Sequence, residues 1–249
     1  MSYGMYISAA GASAQSKRLE LITNNLANVD TPGFKEQFAV LQARHSAAIR
    51  NGEAMPGSRQ LSDIGGGVAF EEARTSFARG PVRKTGNDTD FLIDGDGFFL
   101  VQDGAQRFVT RAGNFRLDPN GYLVTQQGFN VLSHEGAPIV LDPRGGWTFH
   151  ERGTILQGSQ VWSLALVQPG SLDDLVPVGE NVFKPIGVLD PVDRDQRSIK
   201  QGYIEMSAVR PAMTMMELIE TSRAFETNVR MIQNHDALAS GLIRQVLRS

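Results

Sequence analysis

Residues 23–35 read Thr23-Asn24-Asn25-Leu26-Ala27-Asn28-Val29-Asp30-Thr31-Pro32-Gly33-Phe34-Lys35. The stretch is a helix stop with a redirected exit. Pro32 pushes Thr31 out of the helical region. Pro32-Gly33 suits the two central positions of a type II turn, in which Gly33 takes positive φ. Phe34 then anchors an extended segment. Three amides, Asn24, Asn25 and Asn28, lead into this turn, more than an ordinary helix end requires.

Upstream of the stop, alternating steps of three and four pass through Met5, Ser8, Ala12, Gln15, Leu19, Ile22, Leu26 and Val29. The pattern is a heptad seam rather than a broad core-facing stripe. Ser8 and Ala12 are small enough for a partner helix to come close. The other end of the chain repeats the pattern. From Met215 the same walk visits Leu218, Ser222, Phe225, Val229, Ile232, Asp236, Ala239, Ile243 and Val246. Pro211 sits where a first helical turn tolerates a missing N–H, and no proline follows it. Two organisations fit these seams. They can close on each other as an antiparallel hairpin, or they can stay under-filled in one chain and complete themselves against neighbouring subunits.

Downstream of the stop, turn residues take over. Of 26 glycines, most fall between Gly65 and Gly202. Short apolar runs alternate there with turns: Phe91–Ile93, Phe98–Val101, Arg107–Thr110, Phe115–Leu117, Tyr122–Val124, Gly128–Leu132, Ile139–Leu141, Trp147–Phe149 and Val161–Val167. Asp118-Pro119-Asn120-Gly121 reads as a hairpin turn. Regular short strands of this kind indicate a sandwich or barrel-like β module. The expected fold is α+β, with long N- and C-terminal helices packing as a coiled-coil-like layer and an all-β domain inserted between them. The expected division is 1–35 for the first helix and turn, 36–67 for an extended linker, 68–205 for the β domain and 206–249 for the last helix.

Composition narrows the function. The 249 residues carry 24 Lys+Arg against 27 Asp+Glu, a formal charge of −3, without the clustered cations that nucleic acid binding needs. No apolar run approaches the roughly 20 residues of a membrane-spanning helix. Cysteine is absent, which removes disulfides, thiolate metal sites and a cysteine nucleophile. No Lys or Arg precedes the apolar residues of 1–14, so no cleaved leader is expected. Asp94-Gly95-Asp96-Gly97 lacks the later oxygen ligands of a calcium loop and reads as a turn. His45, His134, His150 and His235 show no paired metal spacing. No nucleophile elbow, phosphate loop or dinucleotide fingerprint is present. We therefore assign no catalytic, cofactor-binding or metal residue, and no cofactor.

Residues 24–35 resemble the early signature of the bacterial flagellar axial proteins, specifically the basal-body rod family, with Asp30 the one departure. Gly80–Asn87, Ile93–Phe99, Thr110–Phe115, Gly121–Val124, Gln201–Glu205 and Ile219–Glu226 follow in the family's order. Ser207-Ala208-Val209-Arg210 departs from it, a cation standing where the family carries amides. The resemblance implies a structural subunit of the rod, most similar to the proximal type by length and next to the distal type. It implies terminal helices forming a tubular inner layer, partners among copies of itself and other rod and axial proteins, and uncleaved export by the flagellar type III apparatus. The implied place is the periplasm-spanning rod, a drive shaft carrying torque for motility. Leu19, Ile22, Leu26, Val29, Leu218, Phe225, Val229 and Ile232 are the expected assembly seam. Asn24, Asn25, Asn28, Thr31, Pro32, Gly33 and Phe34 are the expected signature turn. The alternatives are another hook-basal-body subunit, or a β module binding a cell-wall component with the helices as a private coiled coil.

Overall fold

The computed structural model describes residues 3–45, 49, 51–52, 55, 65–179 and 181–246. They form an α+β protein with a helix at each end and a β-rich middle. The chain divides into two compact units. One unit takes residues 1–27, 37–76 and 210–249; the other takes 28–36 and 77–209.

The helical unit contains α1 (Tyr3–Ala27), a hairpin of β1 (Gln37–Ala43) and β2 (Val68–Thr75), and α2 (Pro211–Val246). Helix α2 has 36 residues, about 54 Å at 1.5 Å per residue. Gly4 of α1 lies against His235, and Gly11 against Asn228, so the two helices run antiparallel. A Cβ on Gly11 would stand 2.9 Å from the Asn228 Oδ1, so a larger residue there would oblige the Asn228 side chain to move. Ser8, Ala12 and Ala14 are buried beside it, which extends the small-residue face. The hairpin was not foreseen. Phe38-Ala39-Val40-Leu41 has no polar alternation, and the register shifts between Val40 and Leu41, so the two-residue period is broken where it would be read. Residues 68–75, expected in the β domain, pair with β1 in the helical unit. Most of the expected linker beyond β1 lies outside the described residues, as do the side chains of Ile243 and Val246.

The β unit contains β3 (Val82–Lys84), β4 (Phe91–Ile93), β5 (Phe98–Asp103), β6 (Gln106–Thr110), β7 (Arg116–Leu117), β8 (Leu123–Val124) and β9 (Asn130–Val131). It continues with β10 (Thr148–His150), β11 (Thr154–Gln157), β12 (Gln160–Ser163), β13 (Leu166–Pro169), β14 (Leu175–Pro177) and β15 (Val182–Pro185). β16 (Leu189–Pro191), β17 (Ile199–Gln201) and β18 (Tyr203–Glu205) complete it. Nine strands make an antiparallel sheet in the order β14-β15-β6-β5-β9-β8-β7, with β13 joining β5 to β16. Smaller sheets pair β10-β11-β12, β17 with β4 and β18 with β3.

Strand β5 explains the core. Phe99 and Val101 enter one cluster with Phe91, Leu123, Ile139, Ile155, Leu164 and Ile199, while Phe98 and Leu100 enter a second with Val109, Leu132 and Phe183. An uninterrupted apolar run is what a strand buried on both faces needs. The Asp118–Gly121 turn forms as read, with Asp118 Oδ1 accepting the N–H groups of Asn120 and Tyr122 at 2.9 and 2.7 Å. Ile139–Leu141 makes one isolated bridge, Val140 to Tyr122, instead of a strand, and Val161–Val167 splits into β12 and β13 at Leu164-Ala165.

Candidate assembly interface

The seam residues sit on helix faces that are only partly covered. Ile22 is buried at 4% exposure. Leu19, Leu26, Leu218, Phe225, Val229 and Ile232 are half-buried. Val29 is half-buried too, but α1 ends at Ala27, so Val29 lies past the helix and outside its face. The outer side of α2 is more open still. Met215, Met216 and Ile219 are exposed and, at 3.6 residues per turn, fall away from the Thr221 and Asn228 side. Met215 opened the heptad walk, but Met216 was not singled out in the sequence, although the methionines clustered at 213–216 were visible there.

The signature residues have three different settings. Asn24 lies on the exposed side of α1. Asn25 is buried and stands in for a strand neighbour: its Nδ2 donates to Gln37 O at 2.6 Å and its Oδ1 accepts from Gln37 N at 2.9 Å. It thereby holds the first residue of β1 within the helical unit. Asn28 begins the segment that belongs to the β unit. Thr31 Oγ1 donates to Asn28 Oδ1 at 3.0 Å, and Phe34 N donates to Thr31 O across the Pro32-Gly33 turn.

That turn is sunk among motifs far away in the sequence. Gly33 has φ +68, and a Cβ there would stand 2.4 Å from Ala112 N. Gly33 N donates to Glu205 O at 2.9 Å, and Asn181 Nδ2 donates to Pro32 O at 3.0 Å. Phe34 is 3% exposed, and its carbonyl accepts from Ala208 N. Lys35, with a fully buried side chain, donates to Glu205 Oε1 at 2.6 Å and to Ala78 O at 2.8 Å. Arg111 Nη1 lies 3.9 Å from Glu205 Oε2. Burial pushes both Lys35 and Arg111 below their ordinary values, against the pull of Glu205. Residues 31–35, 110–113 and 201–205 thus meet at one buried ion cluster. The turn was legible in the sequence but the cluster was not, because single charges 170 positions apart leave no local pattern.

The glycine-aspartate run that resembles half a calcium loop is occupied by ion pairs. Asp94 pairs with Lys200 at 2.6 Å and Asp96 with Arg79 at 3.1 Å. The hydrogen bond from Lys200 holds the Asp94 carboxyl below its ordinary value. Among the described residues there is no His/Asp/Glu grouping able to hold a metal ion, and no helix long and apolar enough to cross a membrane.

Comparison with known proteins accounts for most of this architecture. Residues 5–35 match the family described as flagella basal body rod protein, residues 92–157 the flagellar hook protein FlgE/F/G D1 domain, and residues 200–244 the flagellar basal body rod FlgEFG protein C-terminal family. These are the axial proteins of the flagellum. The chain is 31% identical over 249 residues to the flagellar basal-body rod protein FlgF of Caulobacter vibrioides, covering 99% of this chain and 98% of that one. It is 31% identical to the FlgF of Mesorhizobium japonicum, covering 94% and 93%, and 29% identical to the FlgG of Bacillus subtilis, covering 98% of each. The chain belongs to the flagellar basal-body rod protein family. It is a structural subunit of the rod rather than an enzyme, and it assembles with other axial components.

Proposed function

We propose that this chain is a proximal rod subunit whose two terminal helices pack as a coiled-coil-like layer, with the β domain inserted between them. Copies of the chain and other axial proteins cover the helix faces and build a tubular shaft. The single observation behind this reading is the partial cover of Leu19, Leu26, Leu218, Phe225, Val229 and Ile232, together with exposed Met216 and Ile219. Burying such faces releases roughly 25 cal/mol for each square ångström of apolar area, and close-packed contacts resist the shear that torque imposes. A contact between unlike faces that does not close a ring propagates a filament. Ile22 and the residues of the 28–36 turn serve the subunit from within. The relatives named FlgF, matched almost end to end, support the proximal position; FlgG relatives of similar identity support a distal one. Export of the uncleaved chain through the flagellar type III apparatus completes the reading, with no nucleic acid or membrane partner.

The test is a full-length variant carrying Met216→Asp and Ile219→Asp. It should fold as the parent does by hydrogen exchange, yet fail to enter purified basal bodies and fail to restore swimming in a deletion strain. Normal incorporation of the variant would overturn the proposal. Fluorescent labelling of the chain at the two ends of the rod would decide between the proximal and distal positions.

A further inference from the structure

Three of the chain's eight methionines, Met213, Met215 and Met216, fall within one turn of α2. They are 55%, 50% and 58% exposed. Met213 and Met216 stand three positions apart, as do Met216 and Ile219, while Met215 and Ile219 stand four apart. The four side chains therefore form one continuous patch on the helix surface. Thr214 and Thr221, 3% and 2% exposed, mark the packed side of the same helix. The other described methionines are scattered. Met5 and Met206 are half-buried, and Met55 and Met231 are exposed singly.

Because the chain has no cysteine, these thioethers are the softest nucleophiles it offers to an oxidant. Hydrogen peroxide oxidises a thioether in one two-electron step. A sulfur lone pair attacks one peroxide oxygen, and the S–O bond forms as the O–O bond breaks. The departing hydroxide takes the proton left on the transferred oxygen and leaves as water. Sulfur is oxidised, peroxide is reduced, and nothing else is consumed. The product is a sulfoxide, which turns a flexible apolar side chain into a polar one. On a solvated helix face that change is harmless to the fold. On a face about to be covered it leaves polar oxygens to be buried without donors, which is costly.

We propose that Met213, Met215 and Met216 form an oxidation site on the unassembled chain, and that their sulfoxides bar α2 from docking against an adjoining axial subunit. The oxidant is of the hydrogen peroxide class. The first half rests on exposure and clustering; the second rests on the assembly reading above. Methionine adapts to an irregular partner surface, and oxidation removes that property from the whole patch at once. Docking covers the thioethers, so the site is open to oxidant only before assembly.

Two measurements test the halves separately. In the isolated full-length chain treated with hydrogen peroxide, mass spectrometry should find sulfoxide forming at Met213, Met215 and Met216 about fivefold faster than at Met5 and Met206. Helical circular dichroism should not change. Equal rates at all five positions, or loss of the helix signal once the three are oxidised, overturn the site. In cells, hydrogen peroxide is given while new rods are built, at a dose that puts sulfoxide on Met216 of the unassembled chain. The amount of parent chain in each new basal body should fall about threefold or more. A variant carrying Met213→Leu, Met215→Leu and Met216→Leu keeps the patch apolar without a thioether, and should hold its untreated level. An equal fall in both chains, or no fall in the parent, overturns the barrier to docking. Absence of the chain from untreated basal bodies would instead overturn the rod reading and leave the peroxide map standing.

Discussion

The two units of this chain are held together by different means. The β unit has two apolar clusters filled on both faces of β5, and even its charged residues Lys35, Arg111 and Glu205 are enclosed. The helical unit has little comparable interior. In α1 the buried positions are Ser8, Ala12, Ala14, Ile22 and Asn25, and in α2 only Thr214 and Thr221 among the described side chains. The first unit is finished as a single chain, while the second presents long helices whose apolar residues are half in water. Isolated helices gain most of their stability from tertiary packing, so the helical unit is the one whose order should depend on neighbours.

The largest expected effect falls on the β unit. Glu205→Gln removes the one carboxylate shared by Lys35 and Arg111, and breaking a buried pair in this way costs about 3–5 kcal/mol. Calorimetry should show the β-unit transition falling well below that of the parent. A loss under 1 kcal/mol, on the scale of an exposed pair, would mean the cluster adds little. Gly33→Ala comes next, at about 2–3 kcal/mol, because it combines positive φ with a Cβ only 2.4 Å from Ala112 N. Chemical denaturation should register it in the β unit, although residue 33 directly follows the helix exit. An effect confined to helix signals would blur the division between units.

Asn25→Ala probes the other side of the comparison. It deletes two hydrogen bonds to Gln37, about 1–2 kcal/mol together, and should speed amide exchange in β1 and β2 while β5 and β6 are unchanged. The smallest effect is electrostatic. Lys200 holds the Asp94 carboxyl below its ordinary 3.8, so this pair stabilises the folded chain above that pH and the contribution fades as pH falls through the depressed value. Asp94→Asn should therefore lie slightly below the parent at neutral pH and converge with it under acid, a small difference because water screens so exposed a pair.

How much of this was readable depends on how local each signal is. The helix stop, the type II turn and the Asp118–Gly121 hairpin are decided by neighbours within four positions, and they formed as read. Helix α2 followed from its unbroken heptad after Pro211. The β1–β2 hairpin escaped because its bulge breaks the alternation, and Ile139–Leu141 was over-read because its one bridge is isolated. Lys35, Arg111 and Glu205 each stood inside a recognised motif, yet no residue pattern announces that three motifs converge. The half-covered state of the seam was legible as a possibility from the narrow heptad stripe; its extent needed the packing of α2 against Gly4 and Gly11.

The clasp between residues 35 and 205 also sets a timetable. When the chain emerges amino end first, the lysine beside the opening turn has no carboxylate partner until a strand 170 positions later has followed it. Contacts so distant along the chain are slow to find one another. A fragment ending before β18 lacks Glu205 and would carry that site open, with Lys35 facing no carboxylate.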